Sequence, residues 1–147
     1  MADDLSKLNF SQDLEEVLHL PEAEKWKIKH VGDLEIYATL APAKEPDESF
    51  QVRLKWDSYP GELPASLKFR DPGSGRLDMP AAWPVVRGFR PQSLDACVNY
   101  CAEGFGLHPE WAKDPNMKWQ TNGNLILKLL RTLQNEMDEH FTGRFKQ

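Results

Sequence analysis

Cys97 and Cys101 are the only thiols in the chain, and Asn99, Glu103 and His108 lie within a few residues of them. A thiolate can attack a carbonyl, and an imidazole, an amide and a carboxylate are the groups that would assist it as base, donor and water-orienting partner. The chemistry within reach is nucleophilic attack by Cys101 or Cys97, with His108 or Asn99 assisting. Cys101 is the preferred nucleophile, because it lies nearer the end of the expected helix and the turn Gly104-Phe105-Gly106. The same residues also fit a core. Leu94, Cys97, Val98, Cys101 and Phe105 share one face of a helix, and buried cysteine behaves as a small hydrophobe. A zinc reading of Cys97, Cys101 and His108 needs a remote fourth ligand such as His140. The sequence has no CxxC knuckle to supply one, so neither a metal site nor a cofactor is expected.

A second cluster is aromatic. Trp83, Phe89, Arg90 and Trp111, interleaved with Pro84, Pro91 and Pro109, are residue types that dominate binding surfaces. They equally suit the plugging of an irregular segment. The terminal Phe141-Thr142-Gly143-Arg144-Phe145 is either a docked tail or an exposed motif. Phosphate-loop, dinucleotide, zinc-protease and serine-hydrolase signatures are absent, and Asp71-Pro72-Gly73-Ser74-Gly75-Arg76 reads as a turn.

The elements that must position these residues follow from periodicity. Phe10, Leu14, Val17 and Leu18 predict a helix capped by Ser11 and stopped by Pro21, after a flexible start over residues 1–9. Strands are expected from Trp26 to His30 and from Leu34 to Leu40, joined by a hairpin turn at Gly32-Asp33. Two more are expected from Phe50 to Asp57 and from Leu67 to Phe69. Short links between such strands give an antiparallel meander with one apolar side. Residues 71–119 form an irregular, proline-punctuated insert, with one helix from a cap at Ser93 to Gly104 or Gly106. A last helix carries the stripe Ile126, Leu129, Leu130, Leu133, Met137, with a cap at Asn122 or Thr121 and an end near Gly143. The expected fold is a single α+β domain over residues 1–147.

Composition narrows the partners. With 147 residues, 40% of them hydrophobic, the chain has room for one well-packed core. Eighteen basic against twenty-three acidic residues give a net charge of −5, which argues against nucleic acid and anionic lipid as bulk partners. No apolar run approaches a membrane span, no basic-apolar leader opens the sequence, and two close thiols make no disulfide framework, so a cytoplasmic location is expected.

Tyr59-Pro60-Gly61-Glu62-Leu63-Pro64, lying between Leu54-Lys55-Trp56-Asp57 and Leu67-Lys68-Phe69, resembles the corresponding segment of the ubiquitin-conjugating enzyme superfamily and its non-catalytic RWD relatives. Trp119 ahead of the Leu125 to Leu133 run resembles the Trp that precedes a helix beyond the active site of those enzymes. The resemblance implies a ubiquitin-conjugating-like fold: an amino-terminal helix, a four-stranded meander, an active-site stretch and closing helices. It also implies a protein partner, either a ubiquitin-like protein or its activating enzyme. Catalytic members carry His-Pro-Asn shortly before a nucleophilic Cys; here His108-Pro109-Glu110 has Glu in place of Asn, and both cysteines lie upstream of it. Two functions therefore follow, a thioester carrier with a displaced cysteine or a catalytically silent interaction module. A small metal-binding accessory protein is a third.

Overall fold

The computed structural model describes residues 3–146. Helix α1 (Asp4–Leu18) begins with Asp3, whose carboxylate accepts from Ser6 N at 2.7 Å. Of the start expected to be flexible, residues 1 and 2 lie outside the described residues, and the helix takes the remainder from Asp4 on. The apolar period hid this first stretch because its inward residue is Ser6, while Leu5 and Leu8 face solvent. Short α2 (Ala23–Trp26) ends at Lys27, which adopts a left-handed conformation with φ 47°. Trp26 is thus a helical core residue rather than the start of a strand, and its Nε1 donates to Gln134 Oε1 at 3.1 Å.

Four strands, β1 (Lys29–Gly32), β2 (Glu35–Leu40), β3 (Phe50–Lys55) and β4 (Ser66–Arg70), form an antiparallel sheet in chain order. Alternation decides which side is buried. Ile36, Ala38 and Leu40 in β2, Phe50, Val52 and Leu54 in β3, and Leu67 and Phe69 in β4 all face one core. That face is closed by α1 and by the last helix.

Between sheet and last helix the expected Ser93 helix does not form. Phe89–Arg90 (β5) pairs antiparallel with Asp95–Ala96 (β6), across a 3-10 turn at Pro91–Ser93 and a left-handed Leu94 with φ 58°. A six-residue helix, α3 (Ala102–Leu107), starts only after Cys101. The apolar spacing from Leu94 to Phe105 comes from successive loop residues turning inward, which imitates a helical face.

The stripe of α4 (Leu125–His140) is buried as its periodicity predicts, with Leu125, Ile126, Leu129, Leu130, Leu133 and Met137 inside. Its cap is Asn124, whose side chain accepts from Leu127 N at 3.0 Å, two or three residues later than expected. After His140 the chain docks on residues 83–85. Thr142 N donates to Val85 O, Val85 N to Gly143 O and Phe145 N to Trp83 O. The Arg144 guanidinium lies 4.2 Å from the Phe50 ring centroid. The terminal aromatic segment is therefore a docked tail. Among the described residues no helix is long and apolar enough to cross a membrane.

Candidate functional site: the Cys97 loop

Tyr59 ties the site's scaffold together. Its hydroxyl donates to Asp13 Oδ2 at 2.5 Å and accepts from Leu125 N and Ile126 N at 3.1 and 3.2 Å, while its own N–H donates to Ser6 Oγ. One side chain leaving β3 thus joins α1 to the first turn of α4 and satisfies two amides that a helix start leaves unpaired. Burial, and then the Asp13 carboxylate, push its phenol well above the usual range.

The insert is anchored to the free edge of β4. Ala102 N donates to Ala65 O at 2.8 Å, and the Glu103 carboxylate accepts from Leu67 N at 2.9 Å and from Ser66 Oγ at 2.5 Å. Lys68 Nζ donates to Leu94 O. These bonds satisfy edge groups that would otherwise invite pairing with another chain. Beside them, a groove of about 370 Å³ runs between Lys55, Asp57, Glu62, Leu63 and Ala102.

Cys97 leaves the β5–β6 hairpin directly. Its N–H donates to Gly88 O at 2.7 Å, and Arg90 closes the hairpin with two bonds to Asp95, at 2.8 and 3.2 Å. Two glycines hold the next peptide from opposite sides. Gly88 has φ +84°, and a Cβ there would lie 2.6 Å from Val98 Cγ1. A Cβ on Gly104 would lie 1.8 Å from Val98 O and 2.7 Å from Val98 C. Sequence reading missed both roles. A glycine within a helix was the one visible signal, since Gly is a poor helix former and usually marks a close approach there.

The two thiols have different surroundings. Cys101 is 0% exposed, caps the start of α3, and directs Sγ toward Ala96 O at 3.4 Å. Burial pushes its thiol up to about 12, although the amides of Gly104 and Glu103 pull the other way. A helix start normally lowers a thiol's pKa; here desolvation is larger. The preference for Cys101 as nucleophile is therefore corrected: it is core. Cys97 is half-buried, outside helix and strand.

The proposed helpers are engaged elsewhere. Asn99 Nδ2 donates to Met117 O at 3.1 Å, tethering the segment that follows α3. His108 sits 3.0 Å from Glu110 Oε2 and stacks on Trp111 at 4.4 Å between ring centroids, with Trp111 edge-on to Phe105. Among the described residues no hydrogen bond joins Asn99 or His108 to either thiol, and Cys97, Cys101 and His108 do not gather as metal ligands.

The aromatic cluster divides. Trp83 is 0% and Phe89 9% exposed; they pack with Phe69 at centroid distances of 5.0 and 5.7 Å and face each other at 6.1 Å. Both are corrected from binding anchors to core, because the sheet's inner face extends under the insert and these rings fill it. Arg90 is exposed but held by Asp95, and Trp111 is partly exposed, with His108 stacked on its ring.

Comparison with known proteins supplies no relative. No family model matches the chain, and no curated protein or solved structure matches it.

Proposed function

We propose that this chain is a ubiquitin-conjugating-like carrier that accepts a ubiquitin-like protein as a thioester on Cys97. The observation that supports this reading is the contrast between the thiols: Cys101 is sealed in the core, while Cys97 lies half-buried at the exit of a short hairpin. That hairpin falls between the Tyr59-Pro60 segment and the Trp119-α4 unit, where the resemblance places the reacting stretch. The chemistry balances without a redox partner. The Cys97 thiol gives up its proton to solvent, and its thiolate attacks the carbonyl of a ubiquitin-like carboxy terminus already held as a thioester on an activating enzyme. The activating enzyme's thiolate leaves.

A silent module of the same fold is the second reading, favoured by the commitment of Asn99 to Met117 O and of His108 to Glu110 and Trp111. The test is a non-reducing gel of the chain incubated with ATP, an activating enzyme and its ubiquitin-like protein, across the available pairs. The carrier reading expects a thiol-reducible adduct that Cys97→Ser abolishes and Cys101→Ser retains. If every pair leaves the folded chain unmodified, the silent module stands in its place.

A further inference from the structure

The outward side of the sheet is unlike the rest of the molecule. Cross-strand register places Lys29, Tyr37, Arg53 and Lys68 in one row across all four strands. In the next row Arg70 stands opposite Gln51, donates from Nη1 to its Oε1 at 2.6 Å, and lies 4.6 Å from the Tyr37 ring centroid. Lys55 occupies the row on the other side, opposite Glu35. Five cations and one carboxylate thus share the outward strand positions of a chain whose net charge is −5. Thirteen basic and twenty-two acidic residues remain elsewhere, a net of −9.

Among the described residues none of these five cations has a carboxylate within ion-pair distance; Arg70 lies near Asp71, Lys55 shares a groove with Asp57 and Glu62, and Lys68 donates to the backbone of Leu94. Of the seven arginines, Arg76, Arg87, Arg90, Arg131 and Arg144 each pair with a carboxylate, and the two that pair with none among the described residues, Arg53 and Arg70, are both on this face. Arg53 is 9% exposed; its Nη2 donates to Ser66 Oγ, one hydroxyl away from Glu103, and its Nε has no partner. Arg53 and Lys68 stand directly opposite each other, an arrangement that costs stability when nothing compensates it. A donor buried without an acceptor costs further.

We propose that this face docks a short carboxylate-rich segment of a partner protein, whose side chains supply the missing counter-ions. Size argues for a short peptide rather than a nucleic acid. Four strands place the Lys29–Lys68 row across about 14 Å. A longer polyanion would overrun that patch onto a surface of net −9, whereas a few carboxylates on one segment would not. The proposal is independent of any role for Cys97.

Fluorescence anisotropy tests it with a short labelled peptide of alternating Glu and Gly, its Gln-for-Glu counterpart, and an oligothymidylate of matched length. Saturable binding of the Glu peptide is expected at about 20 mM salt, with weakening toward 150 mM as screening shortens. The Lys29→Glu/Arg70→Glu variant should lose roughly tenfold or more in affinity. A control of equal charge change, Lys44→Glu/Lys146→Glu, should stay within about twofold, as bulk charge alone acts weakly at contact range. Melting curves check that both variants fold, and Lys29→Gln/Arg70→Gln replaces the reversal if it does not. Equal loss in the control, no saturable binding, or preference for the oligothymidylate would overturn the proposal. So would self-association of the chain that the sheet variant abolishes, which would assign the face to a second copy.

Discussion

Gly104→Ala sets two well-scaled effects against each other. Gly104 lies inside α3, so intrinsic propensity favours the substitution by about 1 kcal/mol. The new methyl would lie 1.8 Å from Val98 O, 2.7 Å from Val98 C and 2.9 Å from Val98 N, all backbone atoms that cannot swing aside. To open even 3.0 Å the two segments must part by more than an ångström. Neighbouring bonds resist this on every side: Cys97 N to Gly88 O, Ala102 N to Ala65 O, and His108 N to Gly104 O. Overpacking costs about 1–3 kcal/mol, and each hydrogen bond stretched out of reach about 1 kcal/mol more. The clash therefore wins, with a net loss of about 2–3 kcal/mol, or roughly 5–10 °C in melting temperature for a domain of this size. Gly88→Ala meets the same Val98 from the other side, but there the obstacle is a side-chain methyl at 2.6 Å. Adding Val98→Ala should thus recover the steric part of the Gly88 loss, leaving about 1 kcal/mol for a non-glycine residue at positive φ, and it should recover nothing at Gly104. Thermal melts of the four variants decide it, with thiol labelling as a local reporter in which Cys97 changes its rate while Cys101 stays protected. A Gly104→Ala protein that melts at or above the parent would refute the close approach of α3 to the Cys97 loop.

Two further outcomes follow from the same contacts. Tyr59→Phe removes the acceptor of Leu125 N and Ile126 N and the donor to Asp13, so chemical unfolding should register a loss of about 2–3 kcal/mol; an unchanged midpoint would mean that solvent replaces the hydroxyl. Burial raises the Cys101 thiol from its ordinary 9.0 to about 12, so the native chain keeps a proton that the unfolded chain releases, and stability present below pH 9 is lost as pH rises. Urea midpoints measured between pH 8 and pH 10 should fall toward the alkaline side, by at most about 1.4 kcal/mol per pH unit for this group, and Cys101→Ala should flatten that slope; equal slopes would place the thiol in contact with water.

Much of the scaffold was legible from local pattern. In β2 and β3 every second residue is apolar, and Ile36, Ala38, Leu40, Phe50, Val52 and Leu54 are buried as that spacing requires. The α4 stripe is equally plain, because both elements bury one face against a continuous core. Boundaries failed where a polar residue does the inward work: Ser6 turns toward the core in place of an apolar residue, and Asn124, not Asn122, bonds the first turn of α4. The stretch from Leu94 to Phe105 failed for a different reason. Helical spacing reports only which residues face inward, and a hairpin, a loop and a short helix can present the same set.

Residue pattern alone establishes an acidic α+β chain with a one-sided meander, a strongly amphipathic last helix and two thiols in an irregular insert. Which thiol is buried, and which side of the sheet gathers cations without a carboxylate partner among the described residues, were decided only in three dimensions. Cys97 and Cys101 are chemically identical and four residues apart. Their difference arises because Ala65, just before β4, accepts from Ala102 N, and the Glu103 carboxylate accepts from Ser66 Oγ and Leu67 N, which pins the start of α3 to the sheet edge with Cys101 in the core, while Gly88 O holds Cys97 N at the hairpin's mouth. In regular strands and helices the apolar period records burial, but in an irregular loop burial depends on what packs from distant parts of the chain, and there neighbours in sequence carry no record of it.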